Sequence, residues 1–418
     1  MFKKLRLKNF KNFQAAELAL GPLTLLVGMN ASGKSNVRDA FRFLHGIGRG
    51  YTLTDILGTK HDEAGNPQWG GMRGGIGEVT YQGASTFALE ASFTVDYKKR
   101  EQVATYRIEI EPSPNGGKPR IIHENLELDG YGFPFFETEP SSNPNQLRVV
   151  ARSKPGKPQY ISLQTLRPVL PQLAEQTALN REVRSLIRET LDALNNMRFL
   201  DLSPELMRLP YPSGEHVLRD RGENLSSVLK SICEDPLRKQ ILVQWLQELT
   251  PMDAVDLAFQ IDPLDPHRRV TVTLLEGNGQ RITTLSASDG TLRFLGMLAA
   301  LLSPEPAGFY FVEELENGIH PTRLHLLVQL IEQQVSQGKI QVAAITHSPQ
   351  LLRLISPDNL AFAALTYRLE GHAQAQIKRI LDIPEAQRII EGHDLGRLYE
   401  SGWLENSVAF LEDEEIAA

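Results

Sequence analysis

The stretch GMNASGKSN, residues 28–36, follows the apolar run Leu23-Thr-Leu-Leu-Val27, and after it Val37, Ala40, Phe41 and Leu44 recur at helical spacing. Strand, glycine loop and helix in that order are the setting that a G-x-x-x-x-G-K-[ST] phosphate loop requires. Gly28 and Gly33 bracket the loop, and Lys34-Ser35 close it. Glycine at both ends lets successive backbone N–H groups curl around an anion, and the helix N-terminus adds partial positive charge. Lys34 then reaches the β- and γ-phosphates, and the Ser35 hydroxyl becomes a ligand for Mg²⁺.

Such a loop serves kinases, GTPases and many ATPases, so its partners decide the class. Phe309–Val312 is an apolar strand ending in Glu313-Glu314. Carboxylates at a strand end beside a phosphate loop can order a metal's hydration shell and accept a proton from an attacking water. Neighbouring residues on a strand point to opposite faces, which gives Glu313 to the metal and Glu314 to the water. Capping of the helix that Pro321 starts is the plainer role for both. A second apolar strand, Gln341–Ile345, leads into Thr346-His347-Ser348, and a histidine at the C-terminal end of a strand in an α/β sheet stands where ligands bind. Ser288-Asp-Gly290 precedes a stripe of Leu292, Leu295, Leu298, Ala299 and Leu302. It therefore marks a helix N-terminus, suited both to a simple cap and to a second molecule's phosphates.

In this order the motifs resemble the ATP-binding-cassette (ABC) ATPases, specifically the non-transporter branch with SMC, RecF-like and OLD-family proteins. LKNFKNF, GMNASGKSN, FLDLSPELMRLP, DRGENLSSVL, SDGTLRFL, EELENGIHP, ITHSP and LGRLYESGWL all look like compact bacterial members, many encoded in antiphage defence cassettes. The resemblance implies an α/β P-loop fold: a mixed β-sheet core, an antiparallel β-subdomain and a helical insertion. It implies ATP held by Asn30, Ser32, Gly33, Lys34, Ser35 and Asn36, Mg²⁺ at Ser35 and Glu313, Glu314 as general base and His347 as γ-phosphate sensor. Ser288 and Gly290 would contact ATP on a second protomer, so the sites are composite and the assembly is a dimer or a multiple of dimers. The signature departs from the usual pattern with Ser-Asp-Gly-Thr, Glu313 replaces the usual Asp, and Leu315 replaces the usual proline. Gln82 is the candidate for the glutamine that normally links the two lobes.

The rest of the chain bounds the reading. Its 418 residues are 41% hydrophobic and 23% charged, ordinary for a globular protein. No run is long enough for a membrane span, and MFKKLRLKNF lacks a signal peptide's apolar core, so a cytoplasmic protein with no membrane partner is expected. The only cysteine, Cys233, excludes an internal disulfide. The net charge of −7 argues against coating DNA with the whole surface, yet residues 1–50 carry nine Lys/Arg against Glu17 and Asp39. That basic lobe leaves direct DNA contact open.

Residues 1–110 and 250–365 read as a discontinuous nucleotide-binding core, with 111–249 as a mobile loop plus helical insertion and 366–418 as a C-terminal extension. Gly46–Gly77 reads as a long loop and 111–160, with Pro112, Pro114, Gly116, Gly117 and SSNPN, as a turn-rich excursion. Helical periodicity follows over 163–195, and a helix pair is expected near Asn224–Leu249. In the C-terminal extension Tyr399 and Trp403 either pack back on the core or dock a partner. The acids after His347, such as Asp382, Glu385, Glu391 and Asp394, lack a nuclease's strand-linked pattern, so an effector such as a nuclease would be a separate chain. The leading expectation is a slow ATPase whose nucleotide-dependent assembly regulates that effector. A RecF-like DNA-repair ATPase is the alternative, and a transporter's nucleotide-binding subunit is a third.

Overall fold

Leu23–Val27 is buried at every position and pairs in parallel with Gln341–Ile345 on one side and Ala364–Arg368 on the other. A strand covered on both faces reads as a continuous apolar run rather than an alternating one, as this segment does. In the computed structural model, which describes all residues except 64, 66, 114, 115, 141, 142, 144, 250–253, 262 and 418, this strand lies inside a six-stranded sheet. The order is Met197–Leu200, Phe309–Glu313, Gln341–Ile345, Leu23–Val27, Ala364–Arg368, Ala375–Arg379. The first five run parallel, so the loops leaving their C-terminal ends converge on one edge.

The helix Lys34–Gly48 leaves the phosphate loop between this sheet and a second, eight-stranded antiparallel one. Phe41 packs against Phe309 of the parallel sheet at a centroid distance of 4.8 Å and against Phe2 of the antiparallel sheet at 5.7 Å. Phe43 reaches Phe87 of the antiparallel sheet at 5.6 Å. A helix packed on two sheets is buried around most of its circumference, and here Asp39 and His45 are buried along with Val37, Phe41, Phe43, Leu44 and Ile47. Strand alternation divides the interior into two cores. Leu26, Phe311 and Ala343 face this helix, while Leu25, Val312 and Val342 face a layer of helices that includes Asp289–Leu302 and Leu324–Ser336. Gln341 stitches the sheets together: its buried amide donates to the carbonyls of Phe2 and Gly21 and accepts from the Phe2 N–H at 2.7 Å.

Four expectations need correction. The excursion at 111–160 is largely strand: Arg120–Leu128, Phe136–Glu139, Gln146–Arg152 and Pro158–Gln164 extend the antiparallel sheet to its eight strands. Among the described residues Gly130, Gly132 and Gly156 stand between these strands, not in one continuous loop. The expected turns at Pro114, Ser141, Ser142 and Pro144 lie outside the described residues. The helical region starts later than expected, as Val169–Ala174 and Arg181–Asn195, because Leu163 still belongs to the last strand.

The supposed loop from Gly46 begins inside the helix. Gly46 and Gly48 lie inside the helix, where glycine serves close packing: side chains there would press on Ile56 at 2.8 Å and on the Asn195 backbone at 2.6 Å. The division expected at 365/366 cuts the strand Ala364–Arg368, and the central sheet continues to Arg379. The hairpin Phe2–Phe10/Phe13–Ala19 and the helix pair Leu225–Cys233/Pro236–Leu249 form where expected. Among the described residues no helix is long and apolar enough to cross a membrane.

Candidate nucleotide site

Gly28 leaves its strand at φ 136°, where a Cβ would stand 2.0 Å from the Thr366 carbonyl. Gly33 turns at φ 113° with Phe13 and Asn12 filling the space a side chain would need, so both glycines are required by geometry. Asn12 then accepts from the Asn36 amide at 2.7 Å, which is how LKNFKNF supports the loop. Lys34 curls back over the loop and donates to the Gly28 and Met29 carbonyls, each at 2.7 Å. Burial pushes its pKa down to about 8, opposed by the charge of Glu405. The Ser32 hydroxyl is buried without a hydrogen-bond partner. The helix N-terminus that follows has no side-chain cap and is suited to an anion's oxygens, whereas Ser32 lines a neighbouring cleft and not the one that holds Lys34.

The two glutamates diverge as the strand ends. Glu313 pairs with Arg38 at 3.7 Å through one oxygen, and its other oxygen is buried and unpartnered. That free oxygen, with Ser35 across the cleft, fits a hard divalent cation. Glu314 turns out of the strand into the left-handed region at φ 51° and accepts from the Asn317 amide at 2.9 Å. His347 sits opposite. Burial, then the neighbouring Lys34, lowers its pKa against the opposing charges of Glu316 and Glu314. Lys34, Ser35, Glu313, Glu314 and His347 line one cleft of about 350 Å³ together with Asn30, Gly33 and Asn36.

Ser288 and Gly290 lie outside that cleft lining. Ser288 caps the helix Asp289–Leu302 by accepting from the Thr291 N–H at 3.1 Å, and Asp289 pairs with Arg208 at 2.6 Å. Gly290 is needed for a second reason: a Cβ there would be 2.2 Å from the Gly318 carbonyl, in the loop that follows the glutamates. Gln82 is exposed at φ 41° in the turn Tyr81–Gly83, away from the cleft lining.

Sequence reasoning gave Glu316 no role, although it stands two residues past Glu314. It accepts from the Thr346 hydroxyl at 2.8 Å and the His347 N–H at 2.9 Å, fixing the histidine loop against the glutamate loop. It also left open what Tyr399 does. The Tyr399 hydroxyl meets the backbone of Gly28.

The chain belongs to the AAA_21 family, described as "AAA domain, putative AbiEii toxin, Type IV TA system", which matches residues 23–153 and 170–353. It is an ABC-type ATPase of this group, with the P-loop fold the motifs implied. A Helicobacter pylori protein named ATP/GTP phosphatase is 19% identical over 363 residues, spanning 85% of this chain and 87% of its own. The DNA replication and repair protein RecF of Lactococcus lactis is 30% identical over 130 residues, spanning 30% of this chain and 33% of its own. An SMC head solved with the C-winged helix domain of ScpA shares the fold at a TM-score of 0.50 and 14% identity, covering 90% of this chain and 97% of that one.

Proposed function

We propose that the protein is an ATP-gated regulator: two chains close on Mg-ATP, and the nucleotide-dependent assembly controls a separate effector, such as a nuclease or toxin, in antiphage defence. The observation that carries this reading is the convergence of Lys34, Ser35, Glu313, Glu314 and His347 on one cleft at the C-terminal edge of the parallel sheet. Lys34, Asn30, Ser32, Gly33 and Asn36 would receive the phosphates, while Ser35 and the free oxygen of Glu313 would hold Mg²⁺. The metal supplies charge neutralisation for the β- and γ-phosphate oxygens.

Glu314 takes the proton of a water that attacks the γ-phosphorus as the β–γ bridging P–O bond breaks, giving ADP and phosphate. His347, held by Glu316, donates to a γ-oxygen. Ser288 and Gly290 of a second protomer complete the enclosure, so hydrolysis is slow until two chains meet.

Two features support a separate effector over direct DNA binding. The family's description points to toxin systems. Four of the nine basic residues of the first lobe are also paired within the chain: Lys4 and Arg6 with Glu17, Arg6 also with Glu90, Lys11 with Asp39, and Arg38 with Glu313. The acids Asp382, Glu385 and Asp394 are likewise held by Arg379, Arg388 and Arg353, and the side chain of Glu391 lies outside what the structure describes.

The test is the mass of the Glu314→Gln variant in Mg-ATP by light scattering, with and without short duplex DNA. Doubling with nucleotide, absent in Lys34→Ala and indifferent to DNA, is the expected result. A monomer in every condition sinks the composite site, and assembly that requires DNA transfers the case to the RecF-like reading.

A further inference from the structure

The C-terminal segment reaches the phosphate loop at Gly28. Its helix Leu395–Glu400 is capped by Asp394, which accepts from the Arg397 N–H at 2.9 Å. Asp394 and Glu400 both hold Arg353, at 2.7 and 3.1 Å, and Arg353 belongs to the helix Pro349–Leu354 that starts two residues past His347. Gly396 permits this docking, since a Cβ there would be 2.4 Å from the Arg353 side chain and 2.5 Å from the Pro349 carbonyl. The helix is thereby fixed to the helix that follows the histidine.

From that base Tyr399 extends to Gly28. Its hydroxyl accepts from the Gly28 N–H at 3.2 Å and donates to the Gly28 carbonyl at 3.3 Å. The same carbonyl accepts from Lys34 Nζ at 2.7 Å, so tyrosine and lysine share one acceptor. A few residues on, Glu405 lies within the electrostatic reach of Lys34, with one carboxylate oxygen buried and unpartnered. It lines a second cleft of about 780 Å³ with Met29–Ser32, and this cleft adjoins the first at Asn30 and Ala31.

Resting on the nucleotide-site reading above, we propose that Tyr399 is a positioning residue of the phosphate loop, supplied by the C-terminal segment, which lets Lys34 exchange the Gly28 carbonyl for a phosphate oxygen. The physical reason is the cost of an orphaned acceptor. Gly28 is buried, and its carbonyl would lose its charged partner when Lys34 swings toward a triphosphate. The Tyr399 hydroxyl keeps that carbonyl satisfied and holds the adjoining N–H in place. Through Arg353, the same contact ties the position of the loop to the helix after His347. The segment after the histidine strand is on this account part of the nucleotide machinery, neither a passive extension nor a docking tail.

The experiment uses the full chain with Tyr399→Phe, which keeps the ring and removes one oxygen. AMP-PNP with Mg²⁺ is the equilibrium probe, and kcat and KM for ATP are measured alongside. One hydrogen bond of ordinary strength corresponds to an affinity loss of about threefold to tenfold. The expected result is that loss in AMP-PNP Kd and in KM, with kcat within about twofold and the nucleotide-free melting temperature lowered by no more than a few degrees, because Lys34 still satisfies the carbonyl before nucleotide arrives and only the Gly28 N–H loses its acceptor.

Unaltered Kd and KM overturn the inference. So does an equal loss in Trp403→Phe, whose ring packs in the neighbouring core and would report general loosening of the segment. Wild-type protein with no affinity for AMP-PNP is a separate failure, which removes the nucleotide-site reading itself.

Discussion

The phosphate loop and the signature helix are expected to grip the same nucleotide, yet they are built in opposite ways. At the loop the donors are buried or half-buried and turned inward: Lys34 on two carbonyls, Gly28 on Tyr399, Asn36 on Asn12. At the signature, Ser288 caps its own helix and Asp289 faces solvent, paired with Arg208. One element is assembled within the protomer, and the other is an exposed helix terminus outside the Lys34 cleft. The contrast teaches that a binding site and an assembly surface place different demands on the sequence. The first needs close approach, hence glycines and buried lysine. The second needs only a presented terminus, which a second chain can meet.

The sharpest way to break this division is complementation. Lys34→Ala destroys the loop half and Ser288→Arg the signature half, so each variant alone should hydrolyse ATP at least about a hundredfold more slowly than the wild type. If the site is shared, mixing them in equal amounts restores activity. Half the dimers are then mixed and each carries one intact site of two, so recovery approaches about a quarter of wild type. ATPase assays across mixing ratios read this directly. No recovery would mean that both halves act within one chain, and the geometric separation of Ser288 from the cleft would need another meaning.

The inward turn of the loop has its own signature in pH. Lys34 has a pKa near 8, lowered by burial, while a bound triphosphate favours the ammonium form. Binding therefore takes up a proton above pH 8, and affinity falls as pH rises through that value and is flat below it. About a tenfold rise in AMP-PNP Kd between pH 7 and pH 9 is expected. The nucleotide-free chain changes the other way: its unfolded lysine keeps its proton to about 10.5, so this group adds stability as pH rises from 8 toward 10.5. Calorimetry of binding and melting over the same pH range checks both signs, and a Kd that does not change from pH 7 to 9 would show that Lys34 is not the group that meets the phosphates.

The same contrast explains what could be read from the chain. The loop was legible because a phosphate cradle needs Gly28, Gly33, Lys34 and Ser35 in fixed succession, and the paired glutamates and His347 stand at the ends of continuous apolar strands. What was not legible depends on contacts between distant segments. Nothing near Tyr399 announces that its hydroxyl meets Gly28, 371 residues away in the chain. Gln341 looks like an ordinary strand start until its amide is seen bridging two sheets. The antiparallel strands after Arg120 are short and separated by Pro, Gly and Ser clusters, so turn chemistry masked period-two patterns such as that of Arg120–Leu128. Glycine misled in the other direction: at Gly46 and Gly48 it serves close packing inside a helix.

The smallest effect bears on the signature's departure from the usual glycine. Asp289 puts a carboxylate beside Ser288, where a partner's triphosphate would arrive, and Arg208 at 2.6 Å offsets it only in part because the acid is 70% exposed. An exposed pair of this kind contributes about 0–1 kcal/mol to stability, and an acid in the first turn of a helix contributes a similar amount. Asp289→Asn should therefore lower the melting temperature of the nucleotide-free chain by no more than a few degrees. Its effect on assembly has the opposite sign. Removing a negative charge from the surface that meets Mg-ATP reduces like-charge repulsion, so the nucleotide-dependent dimer should tighten by about twofold to fivefold, most visibly at low salt. Sedimentation in Mg-AMP-PNP at two ionic strengths measures this. Weaker dimerisation in the variant would assign Asp289 an attractive contact in the interface, and the signature would then be an adapted half of the site rather than a degraded one.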